Sequence, residues 1–203
     1  MAKTTPLKLS KVVLDFHSLA EVGKNGVYEG TFLIHADHPQ HATVKKFFGE
    51  SLKRFRDLKG LPKVTWKYAP IENGATKNEN RETSGKEPYS HWGDDTLIIK
   101  GKSKFPVTLL DNMKNKVDGT PFYRGCLVNV VLNVTDTDEV TITTDSGKKE
   151  TMILCLIYLA GVMFAGHGER LSSGGGDADF SDFETVEDVG SPAGSEEDED
   201  LPF

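Results

Sequence analysis

Rings and cationic side chains alternate at several places in this chain. Trp66 and Tyr68 flank Lys67, and Tyr89 and Trp92 close a polar stretch together with His91. Lys100, Lys102 and Lys104 recur two apart and run into Phe105, and Phe122 and Tyr123 precede Arg124. Flat rings beside ammonium and guanidinium groups are what the stacking of single-stranded bases and the neutralisation of phosphates require. On extended backbone a spacing of two puts Trp66 and Tyr68 on one face with Lys67 opposite, and sets the three lysines in one row. The competing reading is that half of the rings are core, with Trp66, Phe105 and Phe122 foremost. Tyr89 and Trp92 lie in polar surroundings and are expected at the surface. The stacking set is therefore Trp66, Tyr68, Tyr89, Trp92 and Tyr123, with Phe105 beside it. The phosphate set is Lys67, Lys100, Lys102, Lys104 and Arg124.

Other chemistry finds little to work with. His35, Asp37, His38 and His41 have spacings that can hold zinc, but no second ligand pair follows them, and helix capping accounts for Asp37. Neither a metal nor another cofactor is expected. Asp94 and Asp95 stand beside Gly93 and read as solvated turn acids. Cys126 and Cys155 are far apart, each in an apolar run, and read as buried, reduced thiols. Phosphate-cradling glycine loops, a nucleophile elbow and a Cys-x-x-Cys pair are all missing, so an enzyme is not expected. Three rivals stay open: an RNA-binding or strand-annealing module, a metal-dependent nuclease at the histidine cluster, and an interaction protein that never touches nucleic acid.

Charge divides the chain. Of 31 acids eleven follow Arg170, where no Lys or Arg occurs, which leaves 20 acids against all 24 basic residues before it. The body is thus +4 and the remainder −11, a division that the overall −7 conceals. A basic body with a detached acidic segment points to a polyanion partner and to self-competition. The organisation expected is a binding domain over 1–170 and a disordered acidic tail over 171–203. A Ser-Ser-Gly-Gly-Gly hinge at 172–176 tethers the tail, which is too poor in apolar residues to fold. The tail closes on Glu197, Asp198, Glu199, Asp200, Leu201, Pro202 and Phe203. There a partner can hold the phenyl ring in an apolar pocket while a basic rim holds the carboxylates.

The elements that must carry these residues are mostly strands. Stretches 11–16, 26–34, 63–70, 96–100, 127–134 and 140–143 are rich in β-branched and aromatic residues and separated by turn formers. One helix is expected, with Asp37 as N-cap and Pro39 in its first turn. Val44, Phe47, Phe48, Leu52 and Phe55 then recur at helical spacing until Gly60 and Pro62 stop it. Polar, apolar-poor 72–90 reads as a long functional loop. The apolar run 152–165 is too short for a membrane span and reads as core. The opening residues lead to no apolar segment, so a soluble, intracellular protein without a signal peptide is expected. Strands with one helix and no strand–helix repeat argue for a mainly β fold, a small OB-type five-stranded barrel.

An acidic tail ending in Pro-Phe resembles that of the bacterial single-stranded DNA-binding proteins, whose last residues recruit replication and repair enzymes. The body is similar to another lineage, the one-barrel OB-fold single-stranded DNA-binding proteins of tailed phages. The segments that carry this likeness are Lys104-Phe105-Pro106, the run from Tyr123 to Asn129, the run from Leu159 to Phe164, and Gly168-Glu169-Arg170-Leu171. The likeness covers 95–171 well and the first half loosely. Where the family leads one to expect Gly-Gly-Cys or Ser-Gly-Cys, this chain has Arg124-Gly125-Cys126, so the role of Arg124 is not inherited. The resemblance implies sequence-tolerant coating of single-stranded DNA in phage replication, recombination and repair, in the cytoplasm of a bacterial host. It further implies a homodimer formed through the tail, and tail-borne contacts with a polymerase, helicase or primase.

Overall fold

Alternation in β6 (Leu127–Thr135) shows how the core is built: Val128, Val130, Leu132 and Val134 are buried and the residues between them are only half so. The computed structural model describes residues 4–143 and 147–171, and the tail expected from 172 onward lies outside them. β6 pairs with β1 (Thr4–Ser18), β1 with β2 (Tyr28–Ile34), and β2 with β4 (Leu97–Ser103), all antiparallel. β9 (Ile157–Gly166) pairs antiparallel with β6 and, at Tyr158, parallel with Lys102 of β4. That last contact closes β1, β2, β4, β9 and β6 into a ring, the OB-type barrel expected. Two short strands extend the sheet, β3 (Ile71–Asn73) on β4 and β5 (Thr108–Leu110) on β9. A separate hairpin, β7 (Asp138–Thr143) with β8 (Lys149–Leu154), is inserted between β6 and β9.

Two local devices let the ring close. β1 carries an extra residue between Leu9 and Val12, with Lys11 at φ 55°, so that Leu7, Leu9, Val12 and Leu14 all reach the core despite the break in alternation. The displaced backbone N–H groups find side-chain acceptors, Ser10 at Gln40 Oε1 (2.8 Å) and Lys11 at Asn129 Oδ1 (2.9 Å). At the seam, a Cβ on Gly101 would stand 2.7 Å from Leu132 Cδ2 and 3.2 Å from Leu159 Cβ, so the glycine lets β4 and β9 meet without displacing those leucines.

Helix α1 (His41–Lys59) buries Val44, Phe48, Ser51 and Phe55, one stripe at helical spacing, and ends at Gly60 in the left-handed region (φ 63°). Its N-cap is Gln40 rather than Asp37, because two successive turns at 35–41 carry the chain past Asp37 before the helix begins. Ser51 Oγ accepts the N–H of Thr137, fastening the helix to the start of the β7–β8 insertion. Both cysteines are buried and free, and burial pushes the Cys155 thiol up to about 12.

Two expected elements differ. Residues 63–70 form no strand; a single bond from Lys67 N–H to the Ile153 carbonyl ties them to β8. Residues 72–90 are not one loop. They continue β3 into a second helix, α2 (Gly74–Thr83), capped by Asn73, whose side chain accepts from the N–H groups of Ala75 and Thr76.

Candidate nucleic-acid interface

β4 turns Ile99 and Gly101 inward, so Ile98, Lys100 and Lys102 point out of the barrel. The outer row is divided between two environments. At one end Ile98 and Leu33 are covered by Trp92, with Val13, Tyr89 and Leu171 packed around them. At the other end Lys100 and Lys102 line an open groove of about 730 Å³. Tyr68, Pro70 and Glu72, Lys104 and Phe105, and Tyr158 of β9 line it as well. Ile98, Leu156 and Leu159 add aliphatic lining.

Among the described residues four aromatic rings are exposed, and three of them line this groove: Tyr68 (62 %), Phe105 (77 %) and Tyr158 (47 %). Nothing inside the protein requires rings of that size to remain in water. Apolar faces left open beside three lysines offer platforms for flat partners carrying negative charge. Burial pushes the Lys100 ammonium below its usual range, the neighbouring Lys77 ammonium adds to that, and the Glu72 carboxylate opposes it. Lys100 stands 3.9 Å from Glu72, and Lys102 3.5 Å from Glu29.

The groove brings together Tyr68, Lys100, Lys102, Lys104 and Phe105 from the expected set. Phe105, foremost among the rings suspected of being core, is instead the most exposed of them. Lys67 is exposed but lies in a separate shallow depression between 65–67 and β8.

Five expected contacts are engaged elsewhere. Trp92 was expected at the surface and is buried (6 %), its indole N–H donating to Asp15 Oδ2 at 2.9 Å. Trp66 is half-buried against the core, donates its indole N–H to Thr137 Oγ1 at 3.0 Å, and lies outside this groove, beside Lys67. Tyr89, also expected at the surface, is half-buried, with the Arg81 guanidinium 3.8 Å above its ring and Trp92 on its edge. Arg124 holds the fully buried Asp15 carboxylate (2.8 Å) and lies 4.1 Å over Phe16, which makes it a structural cation. Tyr123 is stacked on His167 at 6.0 Å with Arg170 over it, and its hydroxyl donates to the Gly168 carbonyl.

Asp15 is the hub of that second cluster. Burial raises its pKa, but bonds from His91, Arg124 and Trp92 outweigh burial and hold it below the usual carboxylate range. The histidine cluster is dispersed by similar ties: His38 meets the Ser10 carbonyl, His41 the Asp95 carbonyl, and His35 the Thr96 hydroxyl. No group of three or more metal-ligating side chains converges among the described residues. No helix among them is long and apolar enough to cross a membrane.

Tyr158 was missed because it lies within 152–165, where an apolar run reads as uniformly core. The signal was there: Tyr158 and Ala160 alternate with Leu159, as an outward face does on a strand.

No protein-family model matches this chain. No curated protein matches it either. Solved structures do. The single-stranded DNA-binding protein from bacteriophage Enc34 has a TM-score of 0.58 at 18 % identity, covering 87 % of this chain and 88 % of that one. The same phage protein in complex with ssDNA gives 0.56 at 17 %, over 82 % and 89 %. Gp2.5, a single-stranded DNA-binding protein encoded by bacteriophage T7, gives 0.53 at 15 %, over 95 % and 100 %. At these identities the likeness establishes a shared fold, the barrel of phage single-stranded DNA-binding proteins.

Proposed function

We propose that this chain binds single-stranded DNA without reading its sequence, in the groove between β4, β9 and the 68–72 segment. The observation that carries the proposal is the convergence of three exposed rings, Tyr68, Phe105 and Tyr158, with Lys100, Lys102 and Lys104. Bases stack on the rings, and the lysines neutralise the phosphates between them. OB barrels take oligonucleotides on the second and third strands, here β2 and β4, flanked by the loops that join strands one to two and four to five. The groove shares β4, the third barrel strand, with that face, together with Val27 before β2 and residues 154–156 before β9. The structures of like fold, one of them holding ssDNA, support the same reading.

The test is a titration of the protein with labelled oligo-dT over a series of salt concentrations. Affinity should fall linearly with salt on logarithmic axes, by about 0.7 per phosphate neutralised. Salt-independent binding, or preference for duplex, overturns the proposal. Competition with oligo-U separates DNA from RNA, since an RNA-adapted site exploits the 2′-hydroxyl.

The acid-rich residues from 172 onward belong to the same proposal as an internal competitor. Leu171 is packed against the cluster of Leu33, Trp92 and Ile98, of which Ile98 is a groove residue, and the −11 segment follows it directly in sequence. A tether that short sustains an effective concentration near millimolar. Cutting the chain to 1–171 should tighten oligo-dT binding at low salt and less so at high salt; equal affinities at low salt remove this role. Asp198, Glu199, Asp200, Leu201, Pro202 and Phe203 are then the docking peptide for replication proteins, and a homodimer forms by exchange of tails. Phe203→Ala should leave oligo-dT affinity unchanged and weaken capture of those proteins from infected-cell extract; unchanged capture excludes the docking role.

A further inference from the structure

Two carboxylates already occupy the groove's lysines, and their placement goes beyond a generic basic surface. Glu72, on β3, lies between two ammonium groups, 2.8 Å from Lys77 of α2 and 3.9 Å from Lys100 of β4. Glu29, on β2, stands across the ladder from Lys102 at 3.5 Å, the register partner it faces. Lys77 is nearly covered, its side chain 18 % exposed, and its ammonium also lies 5.4 Å over the Trp92 ring. Covered lysines are not left to random neighbours: α2 holds Lys77 there because Asn78, the next residue, bonds the Tyr89 and Trp92 carbonyls. Lys77 is close enough to disfavour the charge on Lys100, and the Glu72 carboxylate between them opposes that.

We propose that Glu72 holds the place of a backbone phosphate between Lys77 and Lys100, and that Glu29 does so beside Lys102. The proposal rests on the single-strand reading above and adds a contact residue to it, Lys77, which lies outside the groove lining. In the free protein each acid neutralises the cations that a phosphodiester would meet. A strand entering the groove must displace them, exchanging one anion for another. The arrangement weakens binding on purpose: an isolated anion gains nothing by the exchange, whereas a polynucleotide adds stacking on Tyr68, Phe105 and Tyr158. Discrimination between single strands and other polyanions follows, since heparin and duplex DNA offer charge without free base faces.

Charge-neutral, shape-preserving variants test this. Glu72→Gln and Glu29→Gln should each tighten oligo-dT binding about two- to fivefold at low salt, the fold-change equivalent of one surface ion pair. Each should also steepen the salt dependence by about 0.7, because one more phosphate is neutralised in net terms. Both should raise heparin affinity by a larger factor than oligo-dT affinity. The control is Glu50→Gln, which removes the same charge from α1, where Glu50 pairs with Lys46 (3.8 Å). Lys77→Gln should weaken binding and flatten the slope by about 0.7. Thermal melting of each variant guards against loss of fold. If Glu72→Gln and Glu29→Gln do no more than Glu50→Gln, or Lys77→Gln binds like the parent chain, the placeholder role is wrong. A parent chain that fails to bind oligo-dT at all instead removes the underlying reading, so the two failures are distinct.

Discussion

Phe105→Ala and Trp92→Ala should separate binding from folding, and the structure sets the size of each effect. Phe105 keeps 77 % of its surface in water, so truncating it should move stability by no more than about 0.5 kcal/mol. As a stacking platform, however, the same ring is worth about 1–3 kcal/mol per base, a loss of about fivefold to about 160-fold in oligo-dT affinity. Trp92 is the converse. It is 6 % exposed, packs on Leu33 and Ile98, and donates to Asp15. Its truncation leaves a cavity costing about 3–5 kcal/mol, or about 6–20 °C in melting temperature for a domain of this size. Fluorescence anisotropy of labelled oligo-dT at low salt gives the first quantity and a thermal melt the second. Tyr158→Ala and Tyr68→Ala should behave as Phe105→Ala does. Binding unaltered in all three groove variants would refute the reasoning, whatever Trp92→Ala does to stability.

Asp15→Asn should cost about 3 kcal/mol, since it strands the Arg124 guanidinium, which is 18 % exposed. The folded-state pKa of Asp15 lies below 3.8, so its stabilisation is present above that value and fades as pH falls through the lower one; parent and variant melting temperatures should converge as the pH is taken below 3.8, and a constant difference would contradict the assignment. Gly101→Ala should destabilise by about 1–3 kcal/mol through overlap with Leu132 at the barrel seam, whereas Gly49→Ala on the open face of α1 should stabilise by about 0.5–1 kcal/mol; denaturant melts giving both the same sign would argue against the closure geometry.

How far the sequence reveals this molecule depends on where the determining interactions lie. β6 and α1 were legible because Val128 to Val134 alternate and Val44, Phe48 and Phe55 recur at helical spacing, patterns set by one buried face. α2 was not legible: among its ten residues only Gly74 is buried, so no periodicity exists to read. It is held by the Asn73 cap and by the Asn78 amide, contacts that depend on where Tyr89 and Trp92 come to rest. Trp92 looked exposed for the same reason. Its neighbours in sequence are polar, but its neighbours in space, Leu33 and Ile98, come from strands at least six residues away. The row Lys100, Lys102, Lys104 with Phe105 was found, since a period of two on a strand puts outward residues side by side. The pairing of Arg124 with a buried acid on β1, Asp15, spans 109 residues of chain, which local spacing cannot show.

The most direct test of the groove is zero-length ultraviolet cross-linking of oligo-dT to the full chain, with the joined residues mapped by mass spectrometry. Thymines stacked on exposed rings should cross-link at Tyr68, Phe105 and Tyr158 and leave Trp66, Trp92 and Tyr123 unmodified. Cross-links gathered instead at Phe16, Tyr123 or the α1 face, with the three groove rings untouched, would put the strand on another side of the barrel and contradict the account.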